Sequence, residues 1–182
     1  PQHYGIGLKE LWEVAPEKHE QGVVMHGLGW PLTETGSTGG WWLYFDENNQ
    51  VSFGLVADLS YHNPYMSPFD EMQRLKTHPV IKNVLEGGKR ISYGARALTK
   101  GGLNSLPKFT FPGGVLVGDD AGFLNPAKIK GTHTSMKSGM LAAEAIFEAV
   151  QADRQHDEVV AYTTMYKESW LYQDNYESRN FS

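Results

Sequence analysis

The chain has 182 residues, of which 40% are hydrophobic, and a formal net charge of -5. This length and apolar content suffice for a buried core in one domain or two small ones. The 16 lysines and arginines are scattered, which excludes the concentrated basic surface of a nucleic-acid-binding protein. The absence of cysteine excludes disulfides, thiolate zinc sites and cysteine-ligated iron–sulfur clusters within these residues. The apolar stretches are far shorter than the roughly 20 residues of a membrane-spanning helix.

The first half of the chain is predicted to be mainly β-structure. Apolar and polar residues alternate over residues 5–14 and 23–30, between glycines and prolines, with the period of a half-buried strand. Two aromatic or β-branched runs, residues 41–45 and 51–56, flank a polar segment of hairpin-turn length, residues 46–50. These segments predict neighbouring strands of one sheet.

Two short helices are predicted to follow. Ser67 is a typical N-cap residue and Pro68 a typical first helical residue, so a helix is expected over residues 68–77. Proline pushes the residue before it out of the helical region, so His78 ends this helix and another begins over residues 79–85. Apolar side chains in and just before the first helix form either its buried face or a surface that dips into lipid. These side chains are Tyr65, Met66, Phe69, Met72 and Leu75.

The second half is predicted to combine strands with longer helices. Strands are expected over residues 90–98 and 109–117, separated by glycine-rich turns. The alanine-rich segment of residues 132–149 predicts the most regular helix. A final amphipathic helix is expected over residues 156–172. The predicted buried face of the alanine-rich helix consists of Met136, Met140, Ile146, Phe147 and Val150.

The stretch from the strand at residues 114–117 to the helix start at residues 131–134 carries the strongest chemical signal. Many FAD-binding domains end in this order of strand, turn and helix: the strand brings an acidic residue to the ribityl hydroxyls, and the helix start points at the pyrimidine edge of the flavin. Unpaired amides and the positive end of the helix dipole stabilise the negative charge of a reduced flavin.

Individual roles follow from this pattern. Asp119 is the expected ribityl contact, Gly131 allows close approach of the backbone, and Thr132 or Thr134 is expected to cap the helix. The predicted cofactor-binding residues are Gly118, Asp119, Gly122, Lys130, Gly131, Thr132, His133 and Thr134. Each feature alone is better explained as an ordinary turn or helix cap. Their order and spacing together favour a flavin.

The phosphate-binding part of an FAD site is not found in the sequence. Such a site begins with a G-x-G-x-x-G turn, and the nearest match, residues 5–10, lacks the third glycine. We therefore expect the adenosine-binding half in an N-terminal segment outside this sequence. On this interpretation the chain is a piece of a longer polypeptide.

Six collinear segments resemble consecutive blocks of the electron-transfer-flavoprotein:ubiquinone oxidoreductase family. Three of them are YGIGLKELWE at residues 4–13, YHNPYMSPF at residues 61–69 and KIKGTHTSMKSG at residues 128–139. The others cover residues 29–32, 39–44 and 85–98. Collinear blocks that contain rare dipeptides are a more specific signal than any single motif.

The resemblance implies a monotopic enzyme on a membrane surface. Such an enzyme accepts electrons from reduced electron-transfer flavoprotein and reduces its substrate ubiquinone to ubiquinol in the respiratory chain. It lies on the inner membrane, on the mitochondrial matrix side or the bacterial cytoplasmic side, and has an FAD domain, an inserted quinone domain and a C-terminal domain with a 4Fe-4S cluster. The cofactors carry the redox chemistry, so no catalytic side chain and no metal ligand is predicted here.

The expected fold class is α+β. An antiparallel or mixed sheet packed with short helices is expected to form a ubiquinone-binding domain over residues 1–86. Residues 87–150 are expected to contribute the closing strand, turn and helix of a Rossmann-like FAD-binding domain. Residues 151–182 are expected to form a helical segment that leads to the iron–sulfur domain, outside this sequence.

The quinone site is predicted around glycines of the first half. A ubiquinone headgroup is neutral and flat, so it needs hydrogen-bonding partners for its carbonyls and an apolar trough for its tail. The resemblance places the carbonyl contacts at Gly39 and Gly40. The residues expected to line the same cavity are Gly5, Gly7, Gly29, Trp30 and Tyr4. The alternative is that the glycine pair is a flexible turn and the aromatic residues are ordinary core.

Two rival functions share parts of this pattern. A related FAD-dependent reductase, such as a geranylgeranyl reductase or a FixC-like dehydrogenase, would keep the flavin segment and lack the pocket at Gly39 and Gly40. A quinone- or lipid-binding module without catalysis would keep the fold and lose FAD.

Overall fold

A computed structural model describes residues 2–181. Pro1 and Ser182, the outer limits of the first and last predicted domains, lie outside the described residues. Two compact units are present: residues 4–98, and residues 2–3 together with 99–181.

The first unit is built on a five-stranded sheet with the order β2-β3-β4-β1-β5. The strands are β1 (Tyr4–Glu13), β2 (Val24–Leu28), β3 (Gly39–Phe45), β4 (Gln50–Asp58) and β5 (Lys89–Thr99). β4 pairs antiparallel with both β1 and β3, and β3 pairs antiparallel with β2. The predicted hairpin is confirmed, because β3 and β4 pair from Gly39 opposite Ala57 to Phe45 opposite Val51.

Helices α1 (Pro68–Leu75) and α2 (Pro79–Leu85) supply the other side of the first core. The predicted cap of α1 is confirmed, since the Ser67 hydroxyl accepts a hydrogen bond from the Asp70 amide at 3.3 Å. Met72 and Leu75 are buried against sheet residues such as Phe53, so they form the buried face of the helix. Tyr65 and Phe69 are exposed.

The buried carboxylate of Glu10 connects β1 with the end of α1 and with β5. Glu10 of β1 accepts hydrogen bonds from the Trp12 indole at 2.8 Å, from Lys76 Nζ at 2.9 Å and from the Arg90 guanidinium at 3.0 Å. Burial by itself would raise the pKa of Glu10, but the hydrogen bonds from these three side chains outweigh it and hold the pKa below its usual range.

The second unit is mainly helical. Its elements are β6 (Thr110–Phe111), β7 (Gly114–Val115), α3 (Gly118–Ala121), α4 (Thr132–Gln151), α5 (Val160–Glu168) and α6 (Trp170–Glu177). The single strand predicted over residues 109–117 is wrong, because the chain turns at Gly113 and two short strands pair antiparallel. The final helix predicted over residues 156–172 is also interrupted, since Ser169 is extended between α5 and α6.

The core of the second unit is aromatic. The rings of Phe109, Phe123, Tyr162 and Tyr166 lie 5.2–5.5 Å apart, mostly edge to face. α4 contributes mainly small side chains to this core, namely Ala142 and Ala145 with Leu141.

The buried face predicted for α4 is therefore wrong. Met136 and Phe147 are 66% and 60% exposed, and Met140, Ile146 and Val150 are exposed with them. The aromatic rings beneath α4 fill most of the space, so the alanine face, which lets the helix axis approach closely, is the one that packs.

The compact units end at other places than the predicted domains. β5 belongs to the sheet of the first unit, so the division falls after Leu98 and not after residue 86. No division occurs after residue 150, because α5 packs against α4 within the second unit. Among the described residues, no helix has both the length and the apolar character needed to cross a bilayer.

Candidate functional site

The turn that follows β7 is held against the first turns of α4. Gly118 has a φ of +63°, and its amide donates to the hydroxyl of Ser138 at 2.9 Å. Ser138 is fully buried and donates in turn to the Ser135 carbonyl at 2.8 Å. The Ser135 hydroxyl donates to the Asp119 carboxylate at 3.3 Å. The structure thus brings Gly118 and Asp119 next to the start of α4.

A side chain at Gly131 would displace two neighbouring side chains. A Cβ atom there would lie 2.7 Å from Oδ1 of Asp119 and 3.0 Å from Leu124 Cδ1. The carboxylate of Asp119 therefore provides one physical reason for glycine at this position.

The first amides of α4 have no acceptor within the helix, and those of Thr132 and His133 belong to residues that are not buried. No side chain caps this helix, and its first turn contains no acidic residue. The predicted cap is therefore wrong: the Thr134 hydroxyl donates backwards to the Gly131 carbonyl at 2.8 Å. The first helical bond runs from the Ser135 amide to the same carbonyl, so the amides of residues 132–134 have no acceptor within the helix. About half a positive charge is associated with such a helix end.

The loop that leads into α4 is closed on itself. Asn125 and Lys130 form an antiparallel bridge through their backbones, with N–H to O distances of 3.1 and 3.4 Å. The buried side chain of Asn125 accepts a hydrogen bond from the Lys128 amide at 3.1 Å. Ile129, at the tip, has a φ of +55°, which is unusual for a β-branched residue.

Asp174 on α6 binds this loop from outside. Its carboxylate accepts from Asn125 Nδ2 at 2.8 Å and from Lys128 Nζ, and lies 3.5 Å from Nε2 of His133. The His133 ring stacks on Trp170 with a centroid distance of 5.9 Å and an interplanar angle of 4°. Burial raises the pKa of Asp174, but hydrogen bonds from Lys128 and Asn125 outweigh it, so the pKa lies below its usual range.

The predicted cofactor residues thus fall into two groups. The structure brings together Gly118, Asp119, Gly131, Thr132, His133 and Thr134 around the start of α4. Gly122 instead ends α3, and a Cβ atom there would face Leu106. The Lys130 side chain is exposed, and its Nζ lies 3.5 Å from the neighbouring Ile129 carbonyl. Sequence reasoning missed Asn125, Ser138 and Asp174, whose partners are far away in the sequence.

In the first unit, the predicted glycines lie at one end of the sheet. Gly39 and Gly40 are opposite Ala57 and Val56, and Gly5 is opposite Asp58. A Cβ atom at Gly39 would lie 2.1 Å from the Val56 carbonyl oxygen, and one at Gly40 would lie 2.7 Å from the Gly27 carbonyl oxygen. The neighbouring strands therefore require glycine at both positions, independently of any ligand.

The glycines of β1 are less constrained. A Cβ atom at Gly5 would lie 3.3 Å from Val56 Cγ1, and the closest atom to one at Gly7 would be the Arg96 carbonyl oxygen at 3.7 Å. The backbone of β1 can thus accept a methyl group at Gly7 without displacing a neighbour.

Trp30 is directed towards the helices. Its indole nitrogen donates to Glu34 at 2.9 Å, its ring lies 5.9 Å from the His78 ring, and the Arg74 guanidinium lies 5.8 Å from its centroid. A cavity of about 540 Å³ in this unit lies at the opposite end of the sheet from Gly39, beside the β3–β4 turn, and is lined by residues such as Lys9, Phe45 and Gln50. It does not coincide with the predicted quinone residues.

Residues 4–98 match the family model described as ETF-QO, ubiquinone-binding, which is more than half of the chain. The chain belongs to this family. The match to the ETF-QO ubiquinone-binding family ends where the first compact unit ends. The resemblance stated from the sequence blocks is therefore confirmed.

Relatives with similar sequences carry the name of the whole enzyme. The probable electron transfer flavoprotein-ubiquinone oxidoreductase of Acinetobacter baylyi is 63% identical over 100% of this chain. The mitochondrial electron transfer flavoprotein-ubiquinone oxidoreductase of Homo sapiens is 50% identical over 99% of it. The chain covers 35% and 30% of these two proteins, so it spans about a third of their length.

A solved structure shares the fold. A geranylgeranyl bacteriochlorophyll reductase-like protein from Thermoplasma acidophilum superposes with a TM-score of 0.69 at 21% identity. The match covers 91% of this chain and 39% of that protein. The α+β architecture of both units is therefore found within a larger protein.

Proposed function

We propose that this chain is the quinone-binding and FAD-closing part of an oxidoreductase that accepts electrons from reduced electron-transfer flavoprotein and reduces ubiquinone to ubiquinol. The observation that carries the proposal is the similarity along the whole chain, at 63% identity, to a relative with this name. The family match over residues 4–98 supports ubiquinone over another acceptor. The similarity that continues through the rest of the chain supports part of an enzyme over a quinone-binding module without catalysis.

The start of α4 fits a flavin. The amides of Thr132 and His133 provide donors for the pyrimidine edge, since neither residue is buried and no side chain caps the helix. The carboxylate of Asp119, beside Gly131, is suited to accept hydrogen bonds from ribityl hydroxyls. FAD, when bound, supplies the electron-transfer chemistry. The chain's own residues orient it and lower the energy of negative charge near the helix end.

The sheet end that contains Gly5, Gly7, Gly39 and Gly40 is the proposed quinone site. Gly39 and Gly40 permit the close packing of β2, β3 and β4, while Gly7 leaves a methyl-sized space in which the edge of a ring can approach the backbone of β1. Trp30 contributes to the shape of this unit through its contacts with α1 and α2.

Membrane contact is part of the proposal. Tyr65 just before α1 and Phe69 in its first turn are exposed. They provide aromatic groups for the interfacial region of a bilayer, from which the quinone enters. We place the enzyme peripherally on the inner membrane, on the matrix or cytoplasmic side. The 4Fe-4S cluster belongs to a domain outside this sequence, because these residues contain no cysteine.

A titration with a short-tailed ubiquinone tests the quinone site, with quenching of tryptophan fluorescence as the readout. The wild-type chain is expected to show saturable quenching, and Gly7→Ala is expected to weaken the apparent affinity about tenfold, because a methyl group occupies space needed by the ring. Gly94→Ala is the matched control, since nothing lies within 4 Å of its Cβ position.

Circular dichroism shows whether the variants fold like the wild type. Equal affinity of all three proteins would remove Gly7 from the site. Unsaturable quenching of the wild-type chain would contradict quinone binding by this chain.

A further inference from the structure

Asp174 connects α6 to the loop that leads into α4 and to the first turn of α4. Its carboxylate binds the loop of residues 125–131 through Asn125 and Lys128, and it lies beside His133 in the first turn of α4. We propose that Asp174 is a positioning residue, which fixes the loop and thereby the amides of Thr132 and His133 in the orientation that binds the flavin. This inference rests on the flavin site proposed above.

Asp174 is mostly buried and is hydrogen-bonded to a buried residue at the base of the loop. Its side chain is 12% exposed, and its partner Asn125 is 1% exposed and spans the base of the loop. The Asn125 side chain also accepts a hydrogen bond from the Lys128 amide. The Asp174 carboxylate therefore fixes a side chain that already bridges two positions of the loop. Loss of the hydrogen bonds of Asp174 would therefore free the base of the loop.

The loop needs such an anchor because its own backbone is unfavourable. Ile129 has a left-handed conformation, which costs about 1–2 kcal/mol for a residue with a Cβ atom and persists only where the surroundings impose it. Charge-assisted hydrogen bonds are roughly twice as strong as neutral ones, and an ionised Asp174 makes such a bond with Lys128.

Two explanations of how Asp174 affects the flavin predict opposite shifts of the flavin's reduction potential. If Asp174 acts only as a distant negative charge, its removal makes reduction of the flavin easier and raises the reduction potential. If it positions the α4 amides, its removal weakens their hold on the reduced flavin and lowers the potential. A merely structural role changes stability and leaves the potential of the bound flavin unchanged.

The test uses the longer flavoprotein that contains this chain, purified with its flavin. Asp174→Asn is expected to reduce the preference for two-electron-reduced over oxidised flavin about tenfold, which lowers the potential by about 30 mV. Glu177→Gln is the matched control: it removes one carboxylate from the same helix, and that carboxylate accepts from Gln173 within the helix. The control is expected to keep the wild-type potential.

Asn125→Ala is a second variant that changes no charge. It removes the donor to Asp174, and the same direction of shift is expected. This variant decides the question if Asp174→Asn does not fold.

A raised or unchanged potential in Asp174→Asn, or an unchanged potential in Asn125→Ala, would overturn the positioning role. A wild-type protein that binds no flavin would instead refute the proposed function itself, so the two failures are distinguishable.

Discussion

The two units hold their candidate binding segments by different means. In residues 4–98 the glycines at the sheet end are fixed by the backbones of neighbouring strands, which approach so closely that a Cβ atom at Gly39 would overlap the Val56 carbonyl. In residues 99–181 the segments around α4 are fixed by side chains, chiefly Ser138 and Asp174. At the sheet end around Gly39, adding one methyl group should therefore cause a large loss of stability. Around the start of α4, removing one side-chain hydrogen bond should cause a smaller loss.

The largest effect is expected from Gly39→Ala. The added methyl group meets the Val56 carbonyl oxygen at 2.1 Å, and the φ of +154° disfavours any residue other than glycine. Overpacking and backbone strain together predict a loss of about 3–5 kcal/mol in the free energy of unfolding. Urea unfolding followed by circular dichroism measures it. Gly94→Ala, in open space on β5, should be as stable as the wild type, and equal midpoints for the two variants would show that the strands do not approach this closely.

A smaller loss is expected where a side chain supports the first unit. Glu10→Gln removes the charge that Lys76 and Arg90 share, and we expect a loss of about 2 kcal/mol at pH 7. The pKa of Glu10 is lowered in the folded chain, so the unfolded chain binds more protons in acid.

The stabilising effect of Glu10 is therefore complete above the unfolded pKa of about 4.3 and is lost as the pH falls towards the lower folded value. Urea unfolding at pH 7 and pH 3.5 should show that Glu10→Gln and the wild type become more similar in acid. A constant difference in stability between them at both pH values would contradict the role of ionisation.

The smallest of the three losses is expected from Ser138→Ala. The change leaves the Gly118 amide without its acceptor in a buried place, which costs about 1–2 kcal/mol. Ser178→Ala is the control, because the Ser178 hydroxyl donates to carbonyls of its own helix, those of Asp174 and Asn175. Thermal unfolding should separate the two variants. Equal midpoints would mean that water or another group replaces Ser138.

The same contrast explains how much the sequence predicts. Local rules identify the β3–β4 hairpin and the Ser67 cap, because each depends on residues that are close in the chain. The family resemblance adds the domain identity of residues 4–98.

The buried face of α4 does not follow from local rules. Hydrophobicity alone predicts that Met136 and Phe147 are buried rather than the alanines. The outcome is decided by the aromatic residues that fill the space below the helix. The contact between Asp174 and Asn125 cannot be predicted from local sequence patterns either, because the two residues are 49 positions apart.

The left-handed conformation of Ile129 has a consequence for engineering heat resistance. The side chain is exposed, so it can be replaced without disturbing the core, while asparagine adopts this backbone conformation more readily. Relief of about 1 kcal/mol would raise the melting temperature by about 2–4 °C in a chain of this size, which calorimetry of Ile129→Asn can measure. One surface substitution is thus expected to raise the melting temperature by a few degrees, with every anchor of the loop left in place.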